Sequence, residues 1–397
     1  MIEVKDKFQC CGCAACVQRC PKQCISLKED KEGFLYPIVD KNTCIDCGLC
    51  EKVCPIITPN EPREPLKVYA AKHKDDEIRM KSSSGGIFTF LAEQIIDEGG
   101  VVFGARFDEY WEVMHDYTET KEGLALFRGS KYVQSRIGNS YLQAENFLKQ
   151  GKKVMFTGTP CQIAGLKRFL RKEYENLLAV DFVCHGVPSP KVWRMYLDET
   201  LARQGIGKNT VLSHAMLRQK FIRSVEFRSK STGWKKYSFA LTLTKASADG
   251  EENSVLLSTV FSENPFMRSF LCDFILRPVC YQCTCKSGKS GADITLGDFW
   301  GIEIIKPELD DDRGCGLVMD YTNSKCYFHN QNMNEMTYEN AKLGNPSICK
   351  SVHIPLNRKF YFHRLDRTCS VCHSISDIES MNVIWRIYRK FYRLLPL

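Results

Sequence analysis

Five cysteines fall between residues 10 and 20 of this 397-residue chain, which opens MIEVKDKFQCCGCAACVQRCP. Four of them, Cys10, Cys13, Cys16 and Cys20, are spaced C-x2-C-x2-C-x3-C and are followed by Pro21. The pattern returns as Cys44, Cys47, Cys50 and Cys54, followed by Pro55, an internal repeat offset by 34 residues. In a reducing compartment a tight cluster of thiols binds metal rather than pairing in disulfides. Zinc sites usually take two separated C-x2-C pairs. A doubled run of four with a trailing proline instead fits two [4Fe-4S] clusters, because the short spacings let three consecutive thiolates wrap one cubane while the backbone curls around it. The proline turns the chain away and offers no competing N–H. Cys11 and Cys24 stand outside the pattern and read as small buried side chains.

The elements that must position these residues follow from composition and patterning. The length suggests two or three domains, and 44% hydrophobic residues are enough for a sizeable core. No charged-then-apolar leader opens the sequence, and no run of about 18 apolar residues appears, so the expectation is a cytoplasmic protein. The net charge is +8, but residues 350–397 hold nine Lys/Arg against three Asp/Glu, a local excess of +6. The basic character thus sits in the tail, and the body is not expected to bind nucleic acid.

The first 60 residues resemble the bacterial two-cluster ferredoxin. In that arrangement the fourth thiolate crosses over, which places one cluster on Cys10, Cys13, Cys16 and Cys54 and the second on Cys44, Cys47, Cys50 and Cys20. So short a segment can hardly fold on an apolar core alone, so the clusters would serve as that core.

Residues 56–66, IITPNEPREPL, read as a semi-rigid linker. VYAAKHK then reads as a strand, SSSGG as a loop, and IFTFLAEQIIDEGG as a helix with Phe88, Leu91, Ala92, Ile95 and Ile96 on one face. Ser82–Gly86 therefore precedes a helix N-terminus, where free N–H groups and the dipole favour an anion; capping by the serines is the alternative. GKKVMFTGTPCQIAGLKRFL gives a strand at Val154–Phe156, a loop TGTPCQ and a helix from about Ile163. LLAVDFVC gives a strand ending at Cys184. This is a βαβ unit, so part of the sheet is expected to be parallel, with ligands at the edge holding Thr157–Gln162 and Cys184–Ser189. SVEFRS, KYSFALTLTK and NSVLLSTVF, between residues 205 and 262, read as antiparallel hairpins.

TGTPCQIAGLKRFL, VDFVCHGVPSP, FRSKSTGW, RPVCYQC and ADITLGDFWGI occur in that order and together resemble the coenzyme F420 hydrogenase/dehydrogenase beta-subunit family, in its bacterial form with an N-terminal two-cluster ferredoxin. The resemblance implies an α+β ferredoxin module (1–60) followed by an α/β flavin domain with a mixed, partly parallel sheet (67–150 and 151–315) and a basic C-terminal extension (316–397). It implies FAD held by Ser83, Ser84, Gly85 and Gly86, by the KYVQS segment with Lys131, and by Thr157, Gly158, Thr159, Pro160 and Gln162. It also implies a third [4Fe-4S] cluster on Cys161, Cys184, Cys280 and Cys283, with Cys285 as a competitor for the last place and buried structural thiols as the alternative. Ala292 stands where the family often carries arginine before the aspartate of this phrase. The expected partners are an electron-carrier protein or redox subunit and a small two-electron substrate such as F420. The alternatives are a non-catalytic electron-transfer subunit and a redox enzyme tailoring polysaccharide or lipid precursors. No catalytic acid or base is assigned.

Cys369, Cys372 and His373 match a haem-attachment string by accident, since that chemistry needs export. His185 could touch flavin or substrate, or make a structural hydrogen bond. The last residues, NVIWRIYRKFYRLLPL, suit weak contact with an anionic membrane surface or a terminal helix packed on the body, with Arg386, Arg389, Lys390 and Arg393 solvated.

Overall fold

The computed structural model describes residues 1–207, 210–246, 252–322 and 332–381. The sequence repeat is a structural repeat. Short helices Ala15–Gln18 and Leu49–Lys52 carry Cys16 and Cys50, and each starts from a left-handed residue, Ala14 (φ 59°) and Gly48 (φ 70°). These two positions are 34 residues apart, as are the left-handed Gly12 and Asp46. A hairpin between the two runs, β1 (Ile25–Glu29) and β2 (Leu35–Val39), pairs Ile25 with Val39. Ile2, Ile25, Cys16, Cys24, Cys50 and Cys54 form the small core of this module.

The body is built on an eight-stranded sheet. Its strands are β3 (Lys67–Lys72), β4 (Val101–Phe107), β5 (Val113–Thr118), β6 (Val154–Gly158), β7 (Leu177–Phe182), β11 (Ile294–Asp298), β12 (Gly316–Asp320) and β13 (Asn332–Met336), in the order β13-β3-β12-β11-β7-β6-β4-β5. The inner pairings, β4 with β6, β6 with β7 and β7 with β11, are parallel, and the flanking ones are antiparallel. The sheet is mixed and partly parallel, as expected. β6, the helix Pro160–Leu170 and β7 form the expected βαβ unit. The helix starts at Pro160 rather than near Ile163, because proline suits the first helical position and Thr159 with Gln162 forms a capping box. β7 ends at Phe182, two residues before Cys184. The helix Ile87–Asp97 covers one face of the sheet with Ile87, Leu91 and Ile95.

β8 (Ile222–Ser229), β9 (Ser238–Ala246) and β10 (Glu252–Val260) form the expected antiparallel sheet. It packs on the helices Pro190–Arg203 and Pro265–Leu271 through an aromatic core of Trp193, Phe227, Phe239 and Phe266. The helix His214–Phe221 buries only Leu217 and Arg218, so it carries little periodic signal and is not expected from the sequence.

The body continues past residue 315. β12 lies between β3 and β11, so the point at which the C-terminal extension is expected to begin falls inside the main sheet. The helices Arg358–Thr368 and Val371–Met381 bury Tyr361, Leu365, Ile375 and Ile378 in the aromatic core. Cys369 closes the first of these helices and Cys372 lies in the first turn of the second, where Glu199 caps the Val371 N–H at 2.9 Å. The basic residues after 381 lie outside the described residues. Among the described residues, no helix is long and apolar enough to cross a membrane.

The ferredoxin-like module is seated against the body. Cys11, Cys13 and Val53 share a core with Ile163, Leu166 and Phe169 of the Pro160–Leu170 helix. Gly165 is the close approach: a Cβ there would lie 2.8 Å from Cys13 Cβ and 2.9 Å from its Sγ. Around the rim, Arg358 makes a fork to Glu32 (2.7 Å at Oε1), Arg194 meets Glu29 (2.6 Å), and Arg19 meets Glu145 (3.2 Å). The linker lies along the body, with Arg63 donating to the Ala292 carbonyl (2.6 Å) and Asn60 to that of Lys289 (2.9 Å). Ala292 has no side-chain charge to offer there; the guanidinium of Arg63 comes in from the linker instead.

Candidate metal centres

Within the module the cysteines sort as a crossed pair of sets. Cys16 has Cys10 and Cys54 as its leading thiol neighbours, with Cys50 of the second run after them, and Cys13 has Cys16 and Cys54. Cys20 leaves its own run and joins the second: Cys20, Cys44, Cys47 and Cys50 line one surface cavity, together with Ile25 and Val39. Backbone N–H groups point at several of these sulfurs, from Ile2 to Cys50 (3.3 Å) and from Asp46 to Cys44 (3.4 Å). Cys24 lies against Cys20, Sγ to Sγ 3.4 Å, as a buried neighbour. The first set faces the body; Cys47 of the second is exposed.

A second gathering of thiols lies at the ligand edge of the main sheet. Cys161 occupies the first turn of the Pro160–Leu170 helix, Cys184 follows β7, and Cys280, Cys283 and Cys285 come from the turn after the Pro265–Leu271 helix. All four expected residues converge: Cys184 has Cys280, Cys161 and Cys283 around it, and Cys280 has Cys161 and Cys283. Burial pushes the Cys280 thiol up to about 12 and holds Cys184 well above its ordinary value. Cys283 is the exception, drawn down to about 6 chiefly by a hydrogen bond from the neighbouring Cys285 thiol. So many buried thiols become thiolates only when a positively charged metal core compensates their charge. Among the described residues no three His, Cys, Asp or Glu close on the single point that one ion needs; a cubane is a wider cage. Lys286 adds a cation, donating to the Cys184 carbonyl at 2.5 Å.

The two gatherings touch. Cys11 and Cys13 of the module pack in one cluster with Cys161 of the body, and Cys11 is the leading neighbour acting on the Cys161 thiol. Cys13, Cys11 and Cys161 therefore form one packed group between the first set and the inner one. The sequence makes Cys11 a small buried residue. It is buried, at 3% exposure, but its position is a junction. The doubled cysteine at 10–11 is the one sequence feature that marks it.

The residues expected to hold FAD are brought into two neighbouring groups. Ser83 accepts the Ser130 N–H (2.7 Å), which joins the serine loop to the Lys131 segment. Ser135 joins that segment to TGTPCQ: Gln162 Nε2 donates to Ser135 Oγ (2.9 Å), and Ser135 meets His115 Nδ1 (2.9 Å). His115 Nε2 lies 3.0 Å from the Thr157 carbonyl, so it donates there. Burial lowers its pKa to about 4. Much of the TGTPCQ polarity is engaged internally, with the Thr157 hydroxyl on Phe103 O (2.8 Å) and the Thr159 N–H on Gln162 (2.9 Å). Ser84 donates to Cys315 O (2.8 Å), and Gly85 is required by contact with strand backbone, its Cβ position being 2.3 Å from Ala71 O. Capacity remains at Ser83, at the helix starting after Gly86, which has no side-chain cap, and at Lys131. The Lys131 ammonium lies 3.2–3.3 Å from three carbonyls and has no acidic partner among them; desolvation lowers its pKa to about 7.

Two of the remaining motifs meet here, which sequence order alone did not reveal. Arg228 of FRSKSTGW pairs with Asp298 of GDFWG (2.8 Å), Trp234 Nε1 donates to the same carboxylate (2.9 Å), and Trp234 stacks on Trp300 at 4.7 Å. Arg228 also reaches the Tyr132 hydroxyl (3.3 Å), and its Nε is buried with no hydrogen-bond partner among the described residues. His185 makes a short hydrogen bond to Asp273 (2.6 Å) and packs edge-on to Phe270.

Comparison with known proteins matches this layout. Residues 151–346 match the C-terminal part of the coenzyme F420 hydrogenase/dehydrogenase beta subunit, residues 68–140 match its N-terminal part, and residues 9–56 match a 4Fe-4S dicluster domain. The chain belongs to the coenzyme F420 hydrogenase/dehydrogenase beta-subunit family. It is an iron–sulfur member of a family of oxidoreductase subunits. One component of the F420H2 dehydrogenase of Methanosarcina mazei is 24% identical over 196 residues, 46% of this chain and 55% of that protein. An uncharacterized protein of Methanocaldococcus jannaschii is 25% identical over 204 residues, 44% of this chain and 56% of that protein. The chain thus spans little more than half the length of these two relatives. A 7Fe ferredoxin of Hydrogenibacillus schlegelii is 38% identical over 65 residues, 16% of this chain and 77% of that protein. A chain of the F420-reducing [NiFe] hydrogenase complex from Methanosarcina barkeri is 18% identical, with 81% of this chain and 94% of that chain covered and a TM-score of 0.43.

Proposed function

We propose that this chain passes electrons between an external one-electron carrier, a ferredoxin-type protein or a partner subunit, and an organic two-electron substrate such as F420. The observation that carries the reading is the packing of Cys11 and Cys13 of the ferredoxin-like module against Cys161 and the helix that bears it, which supports a ferredoxin-type site beside a second cysteine set in the body. Cys10, Cys13, Cys16 and Cys54 would hold one [4Fe-4S] cluster, and Cys20, Cys44, Cys47 and Cys50 the second. Cys161, Cys184, Cys280 and Cys283 would hold the inner one. Bound clusters exchange single electrons, and a bound FAD couples them to two-electron chemistry. The placement of the sites supports a polarity. Exposed Cys47 puts the second site at the outer surface, where a carrier can approach, while the first site is sealed against the body.

The chain's own residues suit the flavin's anionic portion better at the serine loop than at TGTPCQ. Ser83, the uncapped helix start after Gly86 and Lys131 retain hydrogen-bonding capacity for a pyrophosphate. Tyr132 and the unpartnered Arg228 Nε supply polar groups nearby. Gln162, Ser135 and His115 hold one another in fixed orientations and so keep the Thr157–Gln162 segment, which carries Cys161, in place.

Anaerobic purification with iron, sulfide and flavin determination tests the reading. About twelve irons and one FAD per chain are expected, from three cubanes at four irons each. Eight irons would remove the inner cluster, and absence of flavin would remove the enzymatic reading in favour of an electron-transfer subunit that feeds a partner. Turnover of F420 by the purified chain alone separates those two cases.

A further inference from the structure

We propose that Arg277, a residue of the body, sets the reduction potential of the first ferredoxin-type cluster and fixes its seat against the inner one. The proposal rests on the cluster assignment above. Arg277 comes from the RPVCYQC segment, three residues before Cys280, and its side chain is fully buried at 0% exposure. It enters the ferredoxin-like module. Nε donates to the Cys10 carbonyl (2.8 Å), Nη2 to the Leu35 carbonyl (2.9 Å) and Nη1 to Gln134 Oε1 (2.9 Å). Nη2 also lies 3.5 Å from Cys10 Sγ. The guanidinium sits over the Tyr36 ring (4.3 Å to the centroid) and near Phe34 (5.4 Å).

No carboxylate is among these partners. A buried cation without a counter-charge is costly, and removal of its partner is a strongly destabilising event. The groups that favour its charged form are Cys10, Tyr36, Cys11 and Cys280, with Cys10 first. Two of the four, Cys10 and Cys280, belong to the two cysteine sets, and a third, Cys11, lies between those sets. The anion that balances Arg277 is therefore the thiolate-bound cluster itself. Reduction adds one negative charge to that cluster. A fixed cation and a hydrogen bond at a ligand sulfur both favour the reduced state, and both are recognised determinants of iron–sulfur potentials.

The same side chain is a clamp. Gln134, held by Arg277, donates in turn to the Cys11 carbonyl (2.9 Å). Between them they leave no room at Gly12, where a Cβ would lie 2.7 Å from Arg277 Nη1 and 2.9 Å from Gln134 Nε2. The backbone N–H of Arg277 bonds Val187 O (3.0 Å), in the loop that begins with Cys184. One residue thus ties the Cys10–Cys13 loop to the loops bearing Cys184 and Cys280, and holds Cys11 against Cys161.

The test is an EPR-monitored redox titration of the full-length, anaerobically prepared protein with Arg277→Gln and Arg277→Lys. Arg277→Gln should shift one of the two N-terminal signals, lowering its reduced-to-oxidised ratio at fixed potential about tenfold, which is 59 mV for a one-electron couple. The other N-terminal signal should not move. Arg277→Lys, which keeps the charge, should shift the same signal less than threefold. The proposal is overturned if neither signal moves, if both move equally, or if the lysine variant shifts as far as the glutamine one. Should Arg277→Gln lose iron, Arg277→Lys decides: wild-type iron with a ratio within threefold supports the proposal, while a tenfold shift or loss of iron in both variants overturns it. If the wild-type protein itself holds no N-terminal clusters, the cluster assignment fails before Arg277 is tested; clusters present with an unmoved potential defeat only the role of Arg277.

Discussion

Gly165→Ala separates the docking of the ferredoxin-like module from the stability of the helix that receives it. Gly165 lies inside the Pro160–Leu170 helix, where alanine is intrinsically better than glycine by about 1 kcal/mol. That gain applies whether or not the module is seated. In the seated state the new Cβ would lie 2.8 Å from Cys13 Cβ, 2.9 Å from Cys13 Sγ and 3.0 Å from the Tyr141 hydroxyl. None of these is the loose end of a flexible chain: Cys13 is a proposed cluster ligand, and the Tyr141 hydroxyl donates to Gln162 O at 2.7 Å. Overpacking of this kind costs about 1–3 kcal/mol. The opening equilibrium of the module should therefore rise about 5- to 150-fold. Limited proteolysis at the 56–66 linker reads that equilibrium, because cleavage tracks the open population when reclosing is fast. Linker cleavage should accelerate by at least about fivefold while the helix itself is unimpaired. An unchanged or slower cleavage rate would refute the seating of Cys13 on this helix, and with it the contact of Cys11 with Cys161.

Three further outcomes are expected. Cys161→Ser should lower the iron content from about twelve to about eight per chain while both N-terminal EPR signals persist; loss of all iron would mean that the inner set is not an independent site. His115 is buried and neutral with a folded pKa of about 4 against an ordinary 6.5, so the unfolded state binds more protons between those values. Stability should fall as pH drops from 6.5 towards 4, and His115→Gln should flatten that slope in thermal unfolding series. Lys131→Met should weaken FAD binding several-fold in fluorescence titrations, and in the wild type that affinity should decline as pH rises through about 7, where the lysine loses its proton; a pH-independent affinity equal in both proteins would exclude Lys131 from the flavin site.

The doubled cysteine run could be read directly, because the spacings that suit cubane ligation by consecutive thiolates are local, two and three residues long. The left-handed turns at Ala14 and Gly48 repeat with the same offset as the thiols. The βαβ unit around TGTPCQ was legible for a similar reason: an apolar strand, a short polar loop, a helical run and a second apolar strand follow one another closely, although Pro160, read as loop, opens the helix. Cys161, Cys184, Cys280 and Cys283 could be named only through the family phrases, since nothing local relates three stretches so far apart in the chain.

What the chain order by itself determined is which residues bear thiols at ligand spacing and which segments become strands. What only the tertiary structure decided is who meets whom. β12 enters the sheet between β3 and β11, so residues past 315 complete the body. Arg277 crosses from the body into the module, Arg63 supplies a guanidinium beside Ala292, and Arg228 finds Asp298 seventy positions away. The physical reason is the same in each case. Spacing encodes contacts made within a turn or two of chain, whereas a buried charge is satisfied by whichever group the packed sheet brings to its side, at any distance along the sequence.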